Sequence, residues 1–439
     1  MFFTIVEEFE HGPLTLSLIM LITSLRSTRT LLKIFAPSST AIKTLKPSKP
    51  ALQVPKSELK PSKPALEVLK SEWEPSKPAL EALKSEWDPH KLFHIFKSNA
   101  TNPIVVENRF AFYDTVSRLA SAKRFDYIEQ LLEQQKKLPQ SRREGFVVRI
   151  ITLYGKAGMI QHALNTFYQM GDFRCVRTVK SFNATLNVLA KSRDFDEILR
   201  FLDEVPRRFD IRLDVYSVNI AVKAFCEAEK LKEAYLFMLD CENNKGVKPD
   251  VVTYTTLMSA FYDHKRWEIG NGLWNRMVLK GVMPNLHTFN VRIQFLVTVR
   301  RVWDANKLMA LMQRNGVTPD EVTLVLVIKG FFRAGYPEMA MRVYSALHDK
   351  GYKISANIYQ TMIHNLCKRG DFSQAYTLCK DSMRKNWFPN VDTIFMLLEG
   401  LKKSGKINKA KVIVALAESR KPPFSSSYLA SMQSILSGN

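Results

Sequence analysis

A recurring spacing of 35 residues constrains the fold of this chain more than any other feature. Segments that begin "GVKPDVVTY", "GVMPNLHTF", "GVTPDEVTL", "GYKISANIY" and "NWFPNVDTI" start at residues 246, 281, 316, 351 and 386, so each lies 35 residues after the previous one. Five copies in constant register cannot plausibly arise by chance. A period of this length is typical of solenoids, propellers and other repeat arrays.

Divergent copies extend the register in both directions. We divide the chain into nine units: 109–143, 144–178, 179–214, 215–250, 251–285, 286–320, 321–355, 356–390 and 391–425. Two of them, 179–214 and 215–250, hold one extra residue.

Each unit is predicted to form two helices. In unit 251–285, apolar residues recur at helical spacing in two groups, Tyr254, Leu257, Met258, Phe261 and then Ile269, Leu273, Trp274, Met277. Gly281 stands where a left-handed residue ends the second helix, and Asp250 and Asn285 stand where helix N-caps are expected. A lone helix pair cannot bury both of its apolar faces, whereas stacked pairs can. The fold class predicted is therefore all-α, a right-handed α-solenoid of about nine helix-turn-helix repeats with no sheet.

The N-terminal segment 1–45 is predicted to be a transit peptide or disordered. Residues 11–57 contain no Asp or Glu, and from Met20 onward Arg and Lys are spaced among Leu, Ile, Ser and Thr. That composition is typical of organelle import signals, and we expect mitochondrial import, with the chloroplast as the alternative. The first residues, "MFFTIVEEFEHG", are acidic, so translation from Met20 remains an alternative start.

Three 14-residue copies, 46–59, 60–73 and 74–87, follow this segment. Their Pro spacing forbids long helices, so 46–87 is predicted to be a Pro- and Lys-rich linker with short helical pieces. Trp73 and Trp87 within the copies leave a partner-docking motif as the alternative to a duplicated spacer. Residues 88–108 resemble a degenerate half-repeat, and 426–439 are predicted to form a closing helix and tail.

The charge of the chain favours a polyanionic partner. The formal net charge is +22, and units 109–425 hold 50 Lys and Arg against 31 Asp and Glu. Within them, 251–425 holds 26 basic against 12 acidic residues, so the excess is strongest in the C-terminal half. Solvated outer helix faces account for part of this excess.

The units resemble the pentatricopeptide repeat family of plant organellar RNA-binding proteins. The segment "KPDVVTYTTLMSAFYDHKRWEIGNGLWNRMVLKGVMPN" matches that repeat nearly end to end, as do "KSFNATLNVLAKSRDFDEI" and "YQTMIHNLCKRGDFSQAYTLC". The resemblance covers 109–425. Tetratricopeptide repeats are the nearest alternative, but their Trp-x-x-Leu-Gly-x-x-Tyr first helix is missing from these units.

The resemblance implies that one unit reads one RNA base. By analogy with the family, the fifth and last residues of a unit read the base edge, and the second residue packs on the base. The base-reading pairs carried over are Asn183 with Asp214, Asn219 with Asp250, Thr255 with Asn285, and Asn290 with Asp320. The resemblance implies the word UUAU for these four units, with cytosine tolerated in place of uracil. Gln360 with Asn390 is a polar pair without a clear code.

The base-packing residues carried over in the same way are Tyr216, Val252, His287 and Val322. Elsewhere the pattern fails, because the fifth residues Val148, Val325 and Phe395 offer no hydrogen bond and Tyr113 is paired with Arg143. The last residues Asp214, Asp250, Asn285 and Asp320 would also serve as helix caps without any RNA.

Neither catalytic nor metal-binding chemistry is expected. Cys226 and Cys367 both occupy the twelfth position of a unit, which favours a recurrent packing role over a His364–Cys367 metal site. No nucleophile–base arrangement or Gly-rich phosphate loop is found, so we predict no enzyme, no cofactor, no small-molecule substrate and no membrane partner. The function expected is single-stranded RNA binding, to mRNA or rRNA, as a component associated with the mitochondrial ribosome. The alternatives are an adaptor for one transcript and a protein–protein scaffold.

Overall fold

The computed structural model describes residues 77–349 and 354–437. The transit peptide predicted for 1–45, and the linker as far as residue 76, lie outside the described residues. No strand occurs within the described ranges.

Each of the nine units contains two helices, and every first helix begins at the first residue of its predicted unit. The first helices are Arg109–Ser121, Glu144–Lys156, Val179–Leu189, Val215–Glu227, Val251–Asp263, Leu286–Thr298, Glu321–Arg333, Ala356–Lys368 and Val391–Lys403. The second helices are Phe125–Lys136, Ile160–Tyr168, Phe195–Phe209, Leu231–Asn243, Trp267–Leu279, Val302–Arg314, Pro337–Asp349, Phe372–Arg384 and Ile407–Glu418.

Further helices flank the units. Lys77–Ser85, Pro89–Ser98 and Pro103–Glu107 precede them, and Ser426–Ser437 follows them. Lys77–Ser85 belongs to the third 14-residue copy, and it contacts both Pro89–Ser98 and Arg109–Ser121. Leu83 within it is almost fully buried. At least this part of the predicted linker therefore packs on the first unit.

The first helices form a continuous layer, because each contacts the first helix of the next unit as well as its own second helix. Phe225 shows how a core side chain joins two units: its ring centroid lies 5.1 Å from that of Phe195 in the preceding unit and 5.5 Å from that of Phe237 in its own. The α-solenoid predicted from the repeat is confirmed by this pattern of contacts.

Two glycines meet separate needs of this packing. Gly281 has φ +74° just after a second helix, a backbone conformation in which residues other than glycine are disfavoured. At Gly400, a Cβ atom would lie 2.0 Å from the ring of Phe372 in the preceding unit. The absence of a side chain there lets neighbouring units approach closely.

Candidate nucleic-acid interface

A groove runs across the first helices Val251–Asp263, Leu286–Thr298 and Glu321–Arg333, with a volume of about 800 Å³. Its lining follows the helical period, since the middle helix contributes unit residues 2, 5, 6, 9 and 13: His287, Asn290, Val291, Gln294 and Thr298. Residues at these spacings share one side of a helix. We call this side of the first helices the groove face.

Three of the four readable pairs predicted from the sequence are joined by direct hydrogen bonds. Asn183 Nδ2 donates to Asp214 Oδ1 at 3.0 Å, and Asn290 Nδ2 donates to Asp320 Oδ1 at 3.1 Å. Asn219 Nδ2 lies 3.2 and 3.3 Å from the two carboxylate oxygens of Asp250. The fifth and last residues of these units therefore act as couples.

A hydroxyl group that the sequence analysis missed completes each couple. Ser217 Oγ donates to Asn183 Oδ1 at 2.6 Å, and Thr323 Oγ1 donates to Asn290 Oδ1 at the same distance. Thr253 bonds the amide oxygen of Asn219 in the same way. Each hydroxyl belongs to the third residue of the following unit, where Ser or Thr recurs at 181, 217, 253, 288, 323 and 393. That recurrence was the signal available in the sequence.

These bonds fix the direction of each asparagine amide. An amide has two N–H donors and an oxygen with two lone pairs. One N–H is held by the carboxylate and one lone pair by the hydroxyl, so one donor and one acceptor remain for another molecule. Asn219 and Asn290 are partly exposed and can present these groups, whereas Asn183 is 95% buried, with 5% relative exposure.

The carboxylates of Asp214 and Asp320 are held in the ionised form. Burial opposes ionisation of Asp214, but hydrogen bonds from the Ser217 N–H and from the Asn183 and Ser217 side chains outweigh it and lower its pKa. The pKa of Asp320 is lowered in the same way, against burial, by bonds from Thr323 and Asn290. An ionised carboxylate only accepts hydrogen bonds, so it selects the NH₂ end of the asparagine.

The last residue of each readable unit has a second role as the N-cap of the following first helix. Asp214, Asp250, Asn285 and Asp320 all accept a bond from the backbone of that helix, and each shares a capping box with the third residue of the following unit. The capping role predicted from the sequence is thus confirmed. The couple lies at the joint between two units.

Replacing Asp250 with alanine should therefore destabilise the protein even without a ligand. Loss of an N-cap costs about 0.5–2 kcal/mol of the free energy of unfolding. Asp250→Asn keeps a capping oxygen and should retain most of that stability. Chemical denaturation of the two variants beside the parent checks this, and equal stability of Asp250→Ala and the parent would contradict it.

Thr255 and Asn285 are not brought together directly. Thr255 Oγ1 lies 2.7 Å from Thr288 Oγ1, and Thr288 in turn donates to Asn285 Oδ1 at 2.9 Å. Thr255 also donates to the carbonyl of Val251. The shorter threonine does not reach the unit end, so a hydroxyl bridge replaces the direct bond.

Gln360 and Asn390 meet through the backbone. The Asn390 N–H donates to Gln360 Oε1 at 2.8 Å, and Gln360 Nε2 donates to Thr393 Oγ1 at 2.9 Å. Asn390 Oδ1 is occupied by the Thr393 N–H. This pair is arranged differently from the Asn–Asp couples.

The second residues of units 215–250, 251–285, 286–320 and 321–355 project from the groove face. Tyr216, Val252 and Val322 are 56%, 50% and 54% exposed, and His287 is also exposed. His287 and Val322 line the groove together with Asn290.

The other units differ on this face. Val325 is 6% exposed and offers no polar group. In unit 109–143 the second and fifth residues are Phe110 and Tyr113, which are 86% and 50% exposed. Phe110 was not singled out from the sequence, although its position in the unit would have identified it.

Charge divides the groove face into two parts. In the readable units, Lys223 pairs with Glu227 at 3.7 Å, and the other thirteenth positions carry Lys191, Asp263 and Thr298. Farther along, the ninth and thirteenth positions carry His364 and Glu399 as well as four cations, Lys329, Arg333, Lys368 and Lys403. The structure gives none of these four an ion pair among the described residues.

Other kinds of site are missing from the described part of the chain. No three His, Cys, Asp or Glu side chains there could hold a metal ion together. The five cysteines are free, and burial raises the pKa of Cys226 and Cys367 to about 12. Within 77–349 and 354–437, no helix has the length and apolar character needed to span a membrane.

Comparison with known proteins adds family matches. Residues 249–298 match the PPR repeat family, 321–426 match a family described as pentatricopeptide repeat-containing protein, and 149–175 match the PPR repeat. The solved structure of the maize pentatricopeptide repeat protein PPR10 is 15% identical, with a TM-score of 0.49, covering 84% of this chain and 62% of that one.

Curated relatives come from Arabidopsis thaliana. Pentatricopeptide repeat-containing protein At1g80150, mitochondrial, is 60% identical over 44% of this chain and 48% of its own length, so the match spans about half of that relative. Small ribosomal subunit protein mL103 (rPPR7) is 31% identical over 72% of this chain and 77% of its own length. Pentatricopeptide repeat-containing protein At2g18520, mitochondrial, is 31% identical over 76% of this chain and 79% of its own length. The mitochondrial localisation predicted from the sequence is confirmed by these relatives.

Proposed function

Because this chain belongs to the pentatricopeptide repeat family, we propose that it binds single-stranded RNA along the groove face and acts in mitochondrial translation as a ribosome-associated component. Asn183 with Asp214, Asn219 with Asp250, Thr255 with Asn285 and Asn290 with Asp320 read four successive bases in this proposal. Tyr216, Val252, His287 and Val322 pack on the bases.

The observation that carries the proposal is the set of Asn–Asp couples on one face. Asn219 and Asn290, two units apart, each keep a free N–H and a free lone pair at the fifth position of a unit, and Asn290 lines the groove. A uracil edge offers both a donor and acceptors, so it complements an amide held in this way. The exposed second residues supply the flat packing that an unstacked base needs.

Limited base reading favours a ribosome-associated role over a dedicated transcript factor. Only four consecutive units carry a readable pair, and three of them tolerate either pyrimidine. A word this short recurs often in any transcript, so competing sites dilute it. A relative with 77% of its length matched is a small ribosomal subunit protein, which is consistent with a location set by a larger assembly.

Sedimentation of mitochondrial extract tests the role. We expect the protein to travel with ribosomal particles and to shift to lighter fractions after ribonuclease treatment or magnesium chelation, because both break up the particle. A soluble matrix enzyme followed on the same gradient controls for trapping. A protein found only in a light, RNA-sized complex would instead support the transcript adaptor.

We further propose that the chain acts without catalysis of its own. The pentatricopeptide repeat family and fold are generally non-enzymatic, and the groove face offers amides, hydroxyls and cations without a nucleophile–base pair. A sedimenting complex that survives ribonuclease unchanged would favour the third possibility, a protein scaffold that does not read RNA.

A further inference from the structure

Four side chains that could bind an anion together lie in the two units that follow the base-reading couples. Lys329 and Arg333 occupy the ninth and thirteenth positions of unit 321–355, and His364 and Lys368 occupy the same positions of unit 356–390. The two first helices that carry them are in contact. The ninth and thirteenth residues share one side of a helix, so all four belong to the groove face.

The three cations of this group form no ion pairs with acidic side chains among the described residues. Lys329, Arg333 and Lys368 form no ion pair with any described residue, whereas Lys223, at the ninth position in a readable unit, pairs with Glu227. The Asp392 carboxylate favours the charged form of His364, whereas Lys368 and Lys329 oppose it. Glu399 occupies the ninth position of the next first helix, which contacts the helix of His364. A cluster of this kind attracts an anion.

His364 is held within the cluster by a defined contact. Its Nδ1 atom lies 3.2 Å from Thr393 Oγ1, which also accepts a bond from Gln360. Burial, and then the charges of Lys368 and Lys329, lower the pKa of His364 below its usual value. The imidazole is therefore neutral at the pH of most assays, and a bound anion would offset the part of this lowering that comes from Lys368 and Lys329.

We propose that Lys329, Arg333, His364 and Lys368 form a phosphodiester-binding cluster, and that His364 takes up a proton when the RNA backbone binds there. The inference rests on the proposed RNA-binding function and adds a site that does not read bases. An approaching phosphate offsets the repulsion from the two lysines, so protonation of His364 becomes favourable in the complex. By linkage, RNA affinity rises as pH falls through the histidine range, about pH 5 to 8.

The pH dependence of RNA affinity tests this cluster. The probe is an oligouridylate that spans all nine units. Uracil is chosen because it neither gains nor loses a proton between about pH 6 and 8. For the parent we expect RNA affinity to be higher at about pH 6 than at about pH 8. If binding raises the pKa of His364 by one unit, affinity should rise about tenfold. His364→Gln keeps a hydrogen-bonding group but cannot take up a proton in this range, so it should flatten most of that rise.

Three controls separate the possible causes. His162→Gln removes a histidine from a second helix and should keep the pH dependence of the parent. Lys368→Gln should lower affinity at both pH values. An oligomer with an uncharged backbone should lose the His364-dependent rise, because it brings no phosphate to the cluster.

The His364 ring signal in NMR provides a readout that does not depend on a folding-sensitive variant. Its pKa should rise when the oligouridylate is added. An unchanged His364 pKa, or a parental pH dependence in His364→Gln, would overturn this inference while leaving the proposed function intact. Failure of the parent to bind RNA at any pH would overturn both.

Discussion

Replacing Asn219 and Asn290 together with alanine is expected to weaken binding to single-stranded RNA containing UUAU by roughly thirtyfold or more. In the proposed function each asparagine presents a donor and an acceptor to one base, and one mismatched base costs about 1–3 kcal/mol of binding free energy. Alanine also leaves the carboxylates of Asp250 and Asp320 facing the base without the amide between them. Fluorescence anisotropy with labelled RNA measures the loss.

A matched control exists elsewhere in the chain. Asn244 Nδ2 donates to Asp240 Oδ1 at 2.7 Å, so it forms an Asn–Asp pair of the same chemistry at the end of a second helix. Asn244→Ala should leave RNA affinity unchanged. The loss in the double variant should also shrink for RNA that carries purines at the second and fourth bases of the word. Equal affinity of the double variant and the parent would remove the reading roles proposed for both asparagines.

RNA affinity is expected to fall by roughly 10²-fold or more between about 50 and 200 mM salt. Binding to phosphates releases counterions, and for single strands the slope of log K against log salt is about −0.7 for each phosphate contact. About six contacts therefore give a slope near −4. The fit of affinity against salt concentration provides the slope directly.

Removing charge from the groove face should reduce this slope. Replacing Lys329, Arg333, Lys368 and Lys403 with glutamine is expected to lower its magnitude by about 3. The matched control replaces four cations of second helices, Lys307, Arg314, Arg342 and Lys411, and should leave the slope near that of the parent. If both variants lower the slope equally, binding follows the overall charge of the chain and not the groove face.

The repeat made the helix boundaries predictable. Five copies in register fixed the unit length, and the caps Asp250 and Asn285 marked where first helices begin. Burial of apolar faces between units then left one arrangement, since a helix pair alone would expose one of its faces. For this reason the predicted first residue of each unit is also the first residue of a helix.

The hydrogen bonds of the site were harder to predict. The pairing of Asn183 with Asp214 came from resemblance to a family, and the hydroxyl of Ser217 that completes it lies 34 residues away in sequence. Thr255 shows the limit of pairing by position, because its side chain is too short to reach Asn285 and uses Thr288 instead. Side-chain reach and neighbouring hydroxyls depend on the packed geometry, which a periodic pattern does not specify.

The double role of the last unit residue constrains how such a protein can change its target during evolution. That residue caps the next helix and, in the proposed function, orients the base-reading side chain, so a substitution must satisfy two requirements at once. Helix caps favour Ser, Thr, Asp and Asn, and all eight described unit ends from Thr178 onward fall in this set: Thr178, Asp214, Asp250, Asn285, Asp320, Ser355, Asn390 and Ser425. The alphabet available for RNA recognition at these positions is therefore limited by helix chemistry. New specificities are reached more readily through the fifth residue, which can vary without loosening the joint between units.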